Sequence, residues 1–222
     1  MGPGRGGLRP VGGPLPVATE ASERVSDEAD SSGERAVEVG PWSRRSRRIA
    51  YENAWITVLH DEVTRPDGSP GIYGVVHFRG RAVGVVALDE TGRILLVGQH
   101  RYTLDAYSWE LPEGGVPEDE DLLEGARREL EEETGFTAAR WRQLVPSLHL
   151  SNSVTDEAGT LFLADGLTAG VARPDPTERI ELRWVTLDEA LAAIDAGEIT
   201  DSMTQLGILR YALAALKGDA SA

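Results

Sequence analysis

The stretch Gly114–Phe136, GGVPEDEDLLEGARRELEEETGF, is the part of the chain that decides the fold. If its second half is a helix with about 100° per residue, Glu132 lies roughly 60° to one side of Glu129 and Glu133 roughly 40° to the other. Three carboxylates then share one narrow face. An apolar stripe lies beside that face and consists of Leu123, Ala126 and Leu130.

Carboxylates this close together repel one another, so a cation is needed to offset their charge. Arg128 can pair with Glu132 four residues later, but one guanidinium leaves the face negatively charged. Ligands that are all oxygen suit a hard divalent ion that keeps some of its waters. We therefore expect Glu129, Glu132 and Glu133 to hold Mg²⁺, with Mn²⁺ as a substitute.

A solvated acidic helix is the simpler interpretation of such a Glu-rich stretch, but the spacing argues against it. The stretch fits the pattern G-x5-E-x7-R-E-U-x-E-E-x-G-U, where U is a bulky apolar residue, at every defined position. At average residue usage, a chance match in a chain of this length is on the order of one in a million. This pattern is the Nudix box, and the chain resembles a Nudix hydrolase. The matching residues are Gly114, Glu120, Arg128, Glu129, Leu130, Glu132, Glu133, Gly135 and Phe136.

The resemblance runs from about Arg47 to Leu216 and implies the Nudix α/β/α sandwich. This is an α+β fold with a mixed β-sheet between helices and the box as a loop–helix–loop. Two further segments are similar to the ADP-ribose and nucleoside diphosphate sugar pyrophosphatases. Glu110–Gly114 resembles their E-x-P-A-G element, with Glu113 in place of Ala, and Ser151–Glu157 resembles their S-P-G-x-[ST]-[DE]-E element. Asn152 replaces the Pro that marks the ADP-ribose group, which leaves room for another nucleotide sugar.

The resemblance also implies roles for residues outside the helix. The backbone carbonyl of Glu113 is expected to join the box glutamates as a metal ligand, and Arg101 is expected to contact the substrate phosphates. Arg128 and Glu132 are assigned to the catalytic group, Arg128 as an orienter of carboxylates. The remaining substrate-binding candidates are Glu110, Glu157 and Trp109, with Trp109 stacking on the base.

The attacking water also needs a general base, because carboxylates bound to a metal ion lose basicity. In related pyrophosphatases the base is a glutamate on a mobile loop far downstream of the box, which directs attention to residues 168–180. We predict Glu178, which follows the loop that contains Pro174 and Pro176. Asp175 and Glu157 are the alternatives.

The composition excludes several other classes of function. The chain has no cysteine, which excludes disulfides and thiolate metal sites, and it has no G-K-[ST] segment, which excludes a P-loop. A net charge of −15 argues against nucleic-acid and anionic-membrane partners. Apolar runs fall well short of the roughly 20 residues that a membrane requires, so we expect a cytoplasmic protein.

The chain divides into three parts by composition. Residues 1–40 are rich in Gly, Pro and Ser and contain no aromatic residue, which predicts a disordered N-terminal tail. A Nudix hydrolase domain is expected at 41–217 and a short C-terminal tail at 218–222. The run Arg44–Arg48 is interpreted as a solvated flank or as a partner for the acidic surface, with nucleic-acid contact as the less favoured alternative.

Alternating apolar residues predict two hairpins before the box. Tyr51–Val63 and Ile72–Phe78 form the first, and Ala82–Leu88 and Arg93–Gln99 form the second. The first hairpin resembles the dimerising strands of the ADP-ribose subgroup. We therefore expect a homodimer.

These features favour an Mg²⁺-dependent pyrophosphatase that splits ADP-ribose or a related nucleoside diphosphate sugar into a nucleoside monophosphate and a sugar phosphate. Two alternatives stay open. One is a housecleaning hydrolase of noncanonical nucleoside triphosphates, and the other is a catalytically silent, nucleotide-binding Nudix sensor. Glu110–Gly114 and Ser151–Glu157 favour the first function, and the intact box glutamates count against the sensor.

Overall fold

The computed structural model describes residues 36–175 and 179–219, which contain eleven strands and three helices. The N-terminal strands are β1 (Val37–Val39), β2 (Trp42–Glu52), β3 (Ile56–Thr64) and β4 (Pro70–Phe78). The next elements are β5 (Arg81–Ala87), β6 (Ile94–Arg101), β7 (Ala106–Glu110), β8 (Glu113–Val116) and helix α1 (Leu122–Thr134). The last are β9 (Phe136–His149), β10 (Ala158–Ala169), β11 (Glu181–Val185), α2 (Leu187–Asp195) and α3 (Ser202–Leu216).

Strands β1 to β4 form an antiparallel sheet in sequence order, which we call the N-terminal sheet. The prediction of one continuous strand from Tyr51 to Val63 is wrong, because the chain turns at Asn53. The Asn53 Oδ1 accepts hydrogen bonds from the backbone N–H groups of Trp55 and Ile56, at 2.9 and 2.8 Å. Such a side-chain bond to nearby backbone is a common device for a turn.

The basic run belongs to this sheet rather than to a loose flank. Arg44–Arg48 lies within β2. The Arg47 guanidinium donates two hydrogen bonds to the carboxylate of Asp61 on β3, at 2.7 and 2.8 Å. Asp61 is almost fully buried, so this bidentate pair compensates a buried charge. Arg47 is therefore a partner for an acidic group, while Arg45 and Arg48 are exposed, as a solvated flank would be.

The boundaries of the fold extend beyond residues 41–217. Strand β1 lies inside the predicted tail and pairs with β2 from Val37 opposite Arg44. At the other end, Arg142 donates a hydrogen bond to the backbone carbonyl of Asp219 at 2.9 Å. The rest of the predicted tails, residues 1–35 and 220–222, lies outside the described residues.

The part of the chain after β4 contains a mixed sheet, which confirms the predicted α+β class. Strand β10 runs parallel to β5 and antiparallel to β9, in the order β8-β5-β10-β9. A second sheet has the order β11-β6-β7. The predicted hairpin of β5 and β6 is wrong, since in the described chain these strands meet at a bridge between Leu88 and Ile94 and then enter different sheets. Both are apolar on both faces, which is typical of central strands.

Helices cover the two faces of these sheets and complete the predicted sandwich. On one face, Ala126 and Leu130 of α1 pack against Val85 of β5. On the other face, Ile208 of α3 packs in a cluster with Val86, the next residue of β5. Each fully buried side chain of this size contributes about 1.5–3 kcal/mol to folding. No helix in residues 36–175 and 179–219 is long and apolar enough to cross a membrane.

Candidate active site

Helix α1 begins and ends where the box pattern places its turns. The Asp121 carboxylate caps the N-terminus by accepting bonds from the N–H groups of Leu123 and Glu124. Gly135 ends the helix with a φ of 74°, a conformation that costs a residue with a side chain more than it costs glycine. Because Ala126 and Leu130 face the sheet, the neighbouring carboxylates face the start of β8.

The structure places two box glutamates directly against β8. Glu133 is nearly fully buried, and its Oε2 accepts a hydrogen bond from the backbone N–H of Glu113 at 3.1 Å. The carboxylate of Glu129 lies against Gly114, where an added Cβ would approach its carboxyl atoms to 2.3–2.5 Å. Glu132 lies at the more exposed edge of the same face.

Arg128 connects this face to the loop before the helix. Its guanidinium donates to both oxygens of Glu120, at 3.2 and 3.0 Å, and to the carbonyl of Gly115 at 3.0 Å. Its Nη1 donates to Glu129 at 2.7 Å and to Glu132 at 3.2 Å, so the pairing with Glu132 expected from the spacing is present. The hydrogen bonding of Arg128 to the Glu120 carboxylate is the main cause that raises the Arg128 pKa. Arg128 therefore holds three carboxylates in fixed positions.

Arg101 and Glu110 form a second charged pair facing α1. The Arg101 Nε donates to both oxygens of Glu110 at 3.0 Å, and Nη2 contacts Glu110 and lies 3.5 Å from Glu113. Glu110 is almost fully buried, while about a third of the Arg101 side chain is exposed. The hydrogen bond to Glu110 is the main cause that raises the Arg101 pKa. Arg101 is thus a permanent cation with one side open to solvent.

The side chain of Glu113 is the functional feature that the sequence interpretation missed, since it considered the backbone carbonyl alone. Its Oε2 is buried and has no hydrogen-bond partner among the described residues. Burial, with the carboxylates of Asp201 and Glu110, raises the Glu113 pKa well above its usual value, although Arg101 opposes the shift. The sequence offered one indication of this side chain, which is that Glu113 stands where the E-x-P-A-G element has Ala.

Glu157 and Asp201 extend this acidic region away from α1. Asp201 caps helix α3 by accepting a hydrogen bond from the Thr204 N–H. Glu157, in the loop between β9 and β10, is half-buried, and burial followed by the charges of Asp201 and Asp156 raises its pKa. Asp201 thus acts on both Glu113 and Glu157, and it was not among the predicted site residues.

The structure does not bring Trp109 to this region. Successive residues of a strand point to opposite faces, so Trp109 faces away from Glu110. Its ring packs beside the cluster that α2 and α3 cover, with the Arg183 guanidinium 5.5 Å from the ring centre. Trp109 is thus partly buried on the face of β7 opposite to Glu110, and its base-stacking role stays a prediction.

Glu178 lies outside the described residues, but the segment that leads toward it is described. The N–H of Gly170 donates to the carbonyl of Gly135 at 2.7 Å, and the N–H of Arg173 donates to the carbonyl of Glu132 at 2.8 Å. This segment therefore runs along the C-terminal end of the box helix.

The donor chemistry at α1 and β8 fits a hard divalent cation. Every candidate donor is an oxygen, from Glu129, Glu132, Glu133 and the Glu113 carbonyl. The missing side chain at Gly114 leaves the space that the Glu129 carboxylate fills. In the described part of the chain, however, no group of three or more His, Asp or Glu side chains is already arranged as a metal site. The residues supply suitable ligands, and their carboxylates are presently held by Arg128 and the β8 backbone.

Comparisons with known proteins agree with this geometry. Residues 78–206 match the model of the NUDIX domain, and residues 42–76 match that of the nucleoside diphosphate sugar hydrolase N-terminal domain. A crystal structure titled as an ADP compounds hydrolase superposes with a TM-score of 0.70, covering 86% of this chain and 100% of that one at 16% identity. At that identity the likeness supports the fold alone.

Three curated proteins are similar over most of their length. A CMP-5'-(N-acetyl-N-hydroxy-3-aminopropyl)phosphonate hydrolase of Streptomyces rubellomurinus is 34% identical over 76% of this chain and 81% of its own. ADP-ribose pyrophosphatases of Mycobacterium tuberculosis and Bacillus subtilis are 34% and 33% identical. The match with the Mycobacterium tuberculosis protein covers 74% of this chain and 80% of that protein. The match with the Bacillus subtilis protein covers 79% of this chain and 99% of that protein. Since the NUDIX model spans more than half of the sequence and includes the whole box, the chain belongs to the Nudix hydrolase family, with the N-terminal domain of the nucleoside diphosphate sugar hydrolases before it.

Proposed function

We propose that the protein is an Mg²⁺-dependent pyrophosphatase that hydrolyses ADP-ribose or a related nucleoside diphosphate sugar to a nucleoside monophosphate and a sugar phosphate. The observation that carries this proposal is the partly open guanidinium of Arg101, held by the buried Glu110 beside the box carboxylates. A cation fixed next to a metal-binding face suits the two phosphates of a diphosphate. The names of the similar proteins support a nucleoside diphosphate or a related anhydride as substrate.

Each group of the site has a distinct task in this reaction. When bound, the metal supplies positive charge that lowers the pKa of water and neutralises phosphate oxygens. Glu129, Glu132, Glu133 and the Glu113 carbonyl would hold it. Arg128 keeps these carboxylates oriented, and the open side of Arg101 binds phosphate oxygens. These groups position the diphosphate and stabilise the charge that develops on it.

We propose Glu178 as the general base that accepts the proton from the attacking water. Its support is the segment before it, since Gly170 and Arg173 are hydrogen-bonded to the carbonyls of Gly135 and Glu132. A carboxylate carried by such a segment can close over bound substrate at the metal-binding face. Asp175 and Glu157 stay as the alternatives.

The substrate class is tested by a panel of compounds assayed with Mg²⁺. ADP-ribose, UDP-glucose, GDP-mannose, a CMP-linked phosphonate, dinucleoside polyphosphates and nucleoside triphosphates are compared by kcat/KM. We expect the highest values among the nucleoside diphosphate sugars, with a nucleoside monophosphate as one product. A preference for triphosphates would instead support the housecleaning function, and no turnover of any compound would support a nucleotide sensor.

The metal assignment is tested by a matched pair of substitutions on α1. Glu133→Gln should lower kcat by about 10²-fold or more, the scale on which loss of a charge-stabilising group is felt. Glu131→Gln is the control, because Glu131 is exposed on the other side of the same turn. The concentration of Mg²⁺ that gives half-maximal rate should rise for the first variant alone. Equal activity of the two variants would remove Glu133 from the metal site.

We also propose a cytoplasmic homodimer assembled through the N-terminal sheet. Several large apolar side chains of this sheet are exposed, and Ile72 and Tyr51 are the clearest, with 62% and 56% of their surface accessible. Apolar surface clustered on one sheet is typical of an interaction site. A second copy of the chain is the partner that the resemblance to dimerising strands suggests.

A further inference from the structure

The loop between β9 and β10 is fastened to the edge of the N-terminal sheet. Its backbone forms a short parallel bridge with β4, in which the Val76 N–H donates to the Val154 carbonyl at 2.8 Å. The Val76 carbonyl accepts from the Asp156 N–H at 3.4 Å. Three residues earlier in β4, the Tyr73 hydroxyl donates a hydrogen bond to the Ser153 carbonyl at 3.0 Å. The sheet therefore holds the backbone of the loop at two places, through the Val76 backbone and through the Tyr73 hydroxyl.

The Asp156 side chain completes this attachment. Its Oδ2 lies 2.6 Å from the His77 Nδ1, and its Oδ1 accepts a hydrogen bond from the Phe78 N–H at 3.1 Å. One carboxylate thus contacts a side chain and a backbone donor of two successive β4 residues. We call the contacts of Ser153–Asp156 with Tyr73–Phe78 the Asp156 clasp.

The residue after the clasp is Glu157, which is connected to the N-terminal end of α3 through the charge of Asp201. Its charge interacts with that of Asp201, the cap of α3. Helix α3 is fixed at this end, since the buried Thr204 hydroxyl accepts a hydrogen bond from the Leu111 N–H at 2.9 Å. Leu111 directly follows Glu110, which holds Arg101. Asp201 also interacts with Glu113, which lies 3.5 Å from the Arg101 Nη2, so Glu157 belongs to the acidic region beside Arg101.

Electrostatics alone would move Glu157 away from this position. Asp201 and Asp156 are both negatively charged neighbours, and like charges repel more strongly where solvent is partly excluded. A loop without other attachments would relax by moving the carboxylate into solvent. Glu157 is kept half-buried because the chain on its N-terminal side is bonded to β4 and because its own carbonyl accepts a hydrogen bond from the Leu150 N–H at 3.4 Å.

We propose that Asp156 is a positioning residue which acts through Glu157, so that the N-terminal sheet takes part in setting the affinity for substrate. The proposal rests on the proposed function, because it assigns Glu157 to substrate binding in that reaction. Asp156 touches neither substrate nor metal in this proposal. It fixes the loop to β4 and so determines where the next residue, Glu157, is placed.

The clasp itself is tested by hydrogen–deuterium exchange, which does not depend on any activity. Asp156→Ala removes both side-chain contacts, and Asp156→Asn keeps an acceptor for the Phe78 N–H while it removes the charge. We expect faster exchange of residues 150–157 and 76–78 in the alanine variant and a smaller change in the asparagine variant. His60→Gln is the control, because His60 forms a similar pair with Glu62 at 3.2 Å elsewhere in the sheet. Unchanged exchange in the folded Asp156→Ala protein would overturn the clasp.

The action through Glu157 is tested by a double-mutant cycle with the best substrate of the panel. We expect Asp156→Ala and Glu157→Gln each to raise KM about tenfold with a smaller effect on kcat. The double variant should be no worse than Glu157→Gln alone, because residues that act as one unit are not additive. His77→Gln should raise KM in the same direction, and His60→Gln should leave it unchanged. Additive effects, or a lower kcat with constant KM, would show that Asp156 does not act through Glu157.

Turnover of the substrate panel tests the proposed function, and hydrogen–deuterium exchange tests the clasp independently. A wild-type protein that turns over none of the nucleoside diphosphate sugars contradicts the function, and the exchange experiment then still decides whether the clasp holds the loop. In that case the cycle is measured as the Kd of ADP-ribose without turnover. A Kd that is equal for wild type and Asp156→Ala would overturn the positioning role.

Discussion

The side chain of Glu113 enters a region that already contains the carboxylates of Glu110 and Asp201. Its pKa is raised chiefly because burial removes water from the charged form. A carboxyl group with a raised pKa in the folded state costs stability when it is ionised. This cost is absent below the usual pKa near 4.5, where the group is protonated in both states, and it grows as the pH rises toward the folded-state value.

We therefore predict that Glu113→Gln raises the melting temperature at neutral pH. The gain should be about 2 °C or more, given that about 1 kcal/mol shifts a domain of this size by roughly 2–4 °C. The gain should vanish as the pH falls to about 4.5. Thermal melts between pH 4.5 and 8 in EDTA measure this, with Glu131→Gln as the exposed control. A loss of stability at neutral pH would show that the pairing with Arg101 outweighs the burial.

For single residues, the sequence predicted correctly the relative positions of side chains that lie on one helix. Glu129, Glu133 and the contact of Arg128 with Glu132 are fixed by spacing along α1, so their arrangement was predictable. Asp201 was not predictable, because tertiary packing brings it to Glu113 from a distant part of the sequence. The base-stacking role of Trp109 stays a prediction, since Trp109 lies on the face of β7 opposite to Glu110.

At the scale of elements, the turn before α1 distinguishes two adjacent glycines. A Cβ at Gly114 would lie 2.3–2.5 Å from the Glu129 carboxyl atoms, whereas a Cβ at Gly115 would meet nothing within 4 Å. We predict that Gly114→Ala lowers kcat by about 10²-fold, because a displacement of about 1 Å in a ligand can have this effect.

The control for this prediction is Gly115→Ala, which should stay close to wild type in kcat and in its Mg²⁺ requirement. Steady-state kinetics of the two variants over a range of Mg²⁺ concentrations provide the comparison. If both variants behave alike, the space at Gly114 has no part in placing Glu129.

The segment after β10 contains Glu178, the proposed general base. Glu178→Gln should lower kcat by about 10²–10⁴-fold, the usual range for a lost general base, with little change in substrate and Mg²⁺ affinity. Rates at raised pH should recover part of the loss, since hydroxide then replaces the base. Asp175→Asn and Glu157→Gln are measured alongside. If one of them shows this pattern and Glu178→Gln does not, the base is that residue.

Element positions were predicted better than element pairing. The sequence located α1 and the strands β4, β5 and β6 within a few residues, because apolar periodicity is a local property. It paired β5 with β6 as a hairpin, and the structure separates them into two sheets. Partner choice for a strand that is apolar on both faces depends on distant segments, here β10 and β11, which no local pattern specifies.

At the scale of the whole molecule, the exposed apolar surface of the N-terminal sheet predicts a homodimer. Light scattering at micromolar concentration should give twice the mass of one chain. Ile72→Lys should shift the protein to a monomer, because a charge in the interface leaves an unpaired ion in an apolar contact. Leu216→Lys is the control, since Leu216 is 86% exposed at the end of α3, away from that sheet. A monomeric wild type would contradict the assembly.

The parallel pairing of β5 with β10 has a consequence for how the chain folds. Ala82 is opposite Gly159, so the central pair of the sheet joins segments that are far apart in sequence, and such pairing is slow because a long loop must close first. Until β10 arrives, the apolar strand β5 lacks one of its two partners and is prone to aggregate. The net charge of −15 then acts as protection for the nascent chain, since mutual repulsion keeps unfinished molecules apart during this interval.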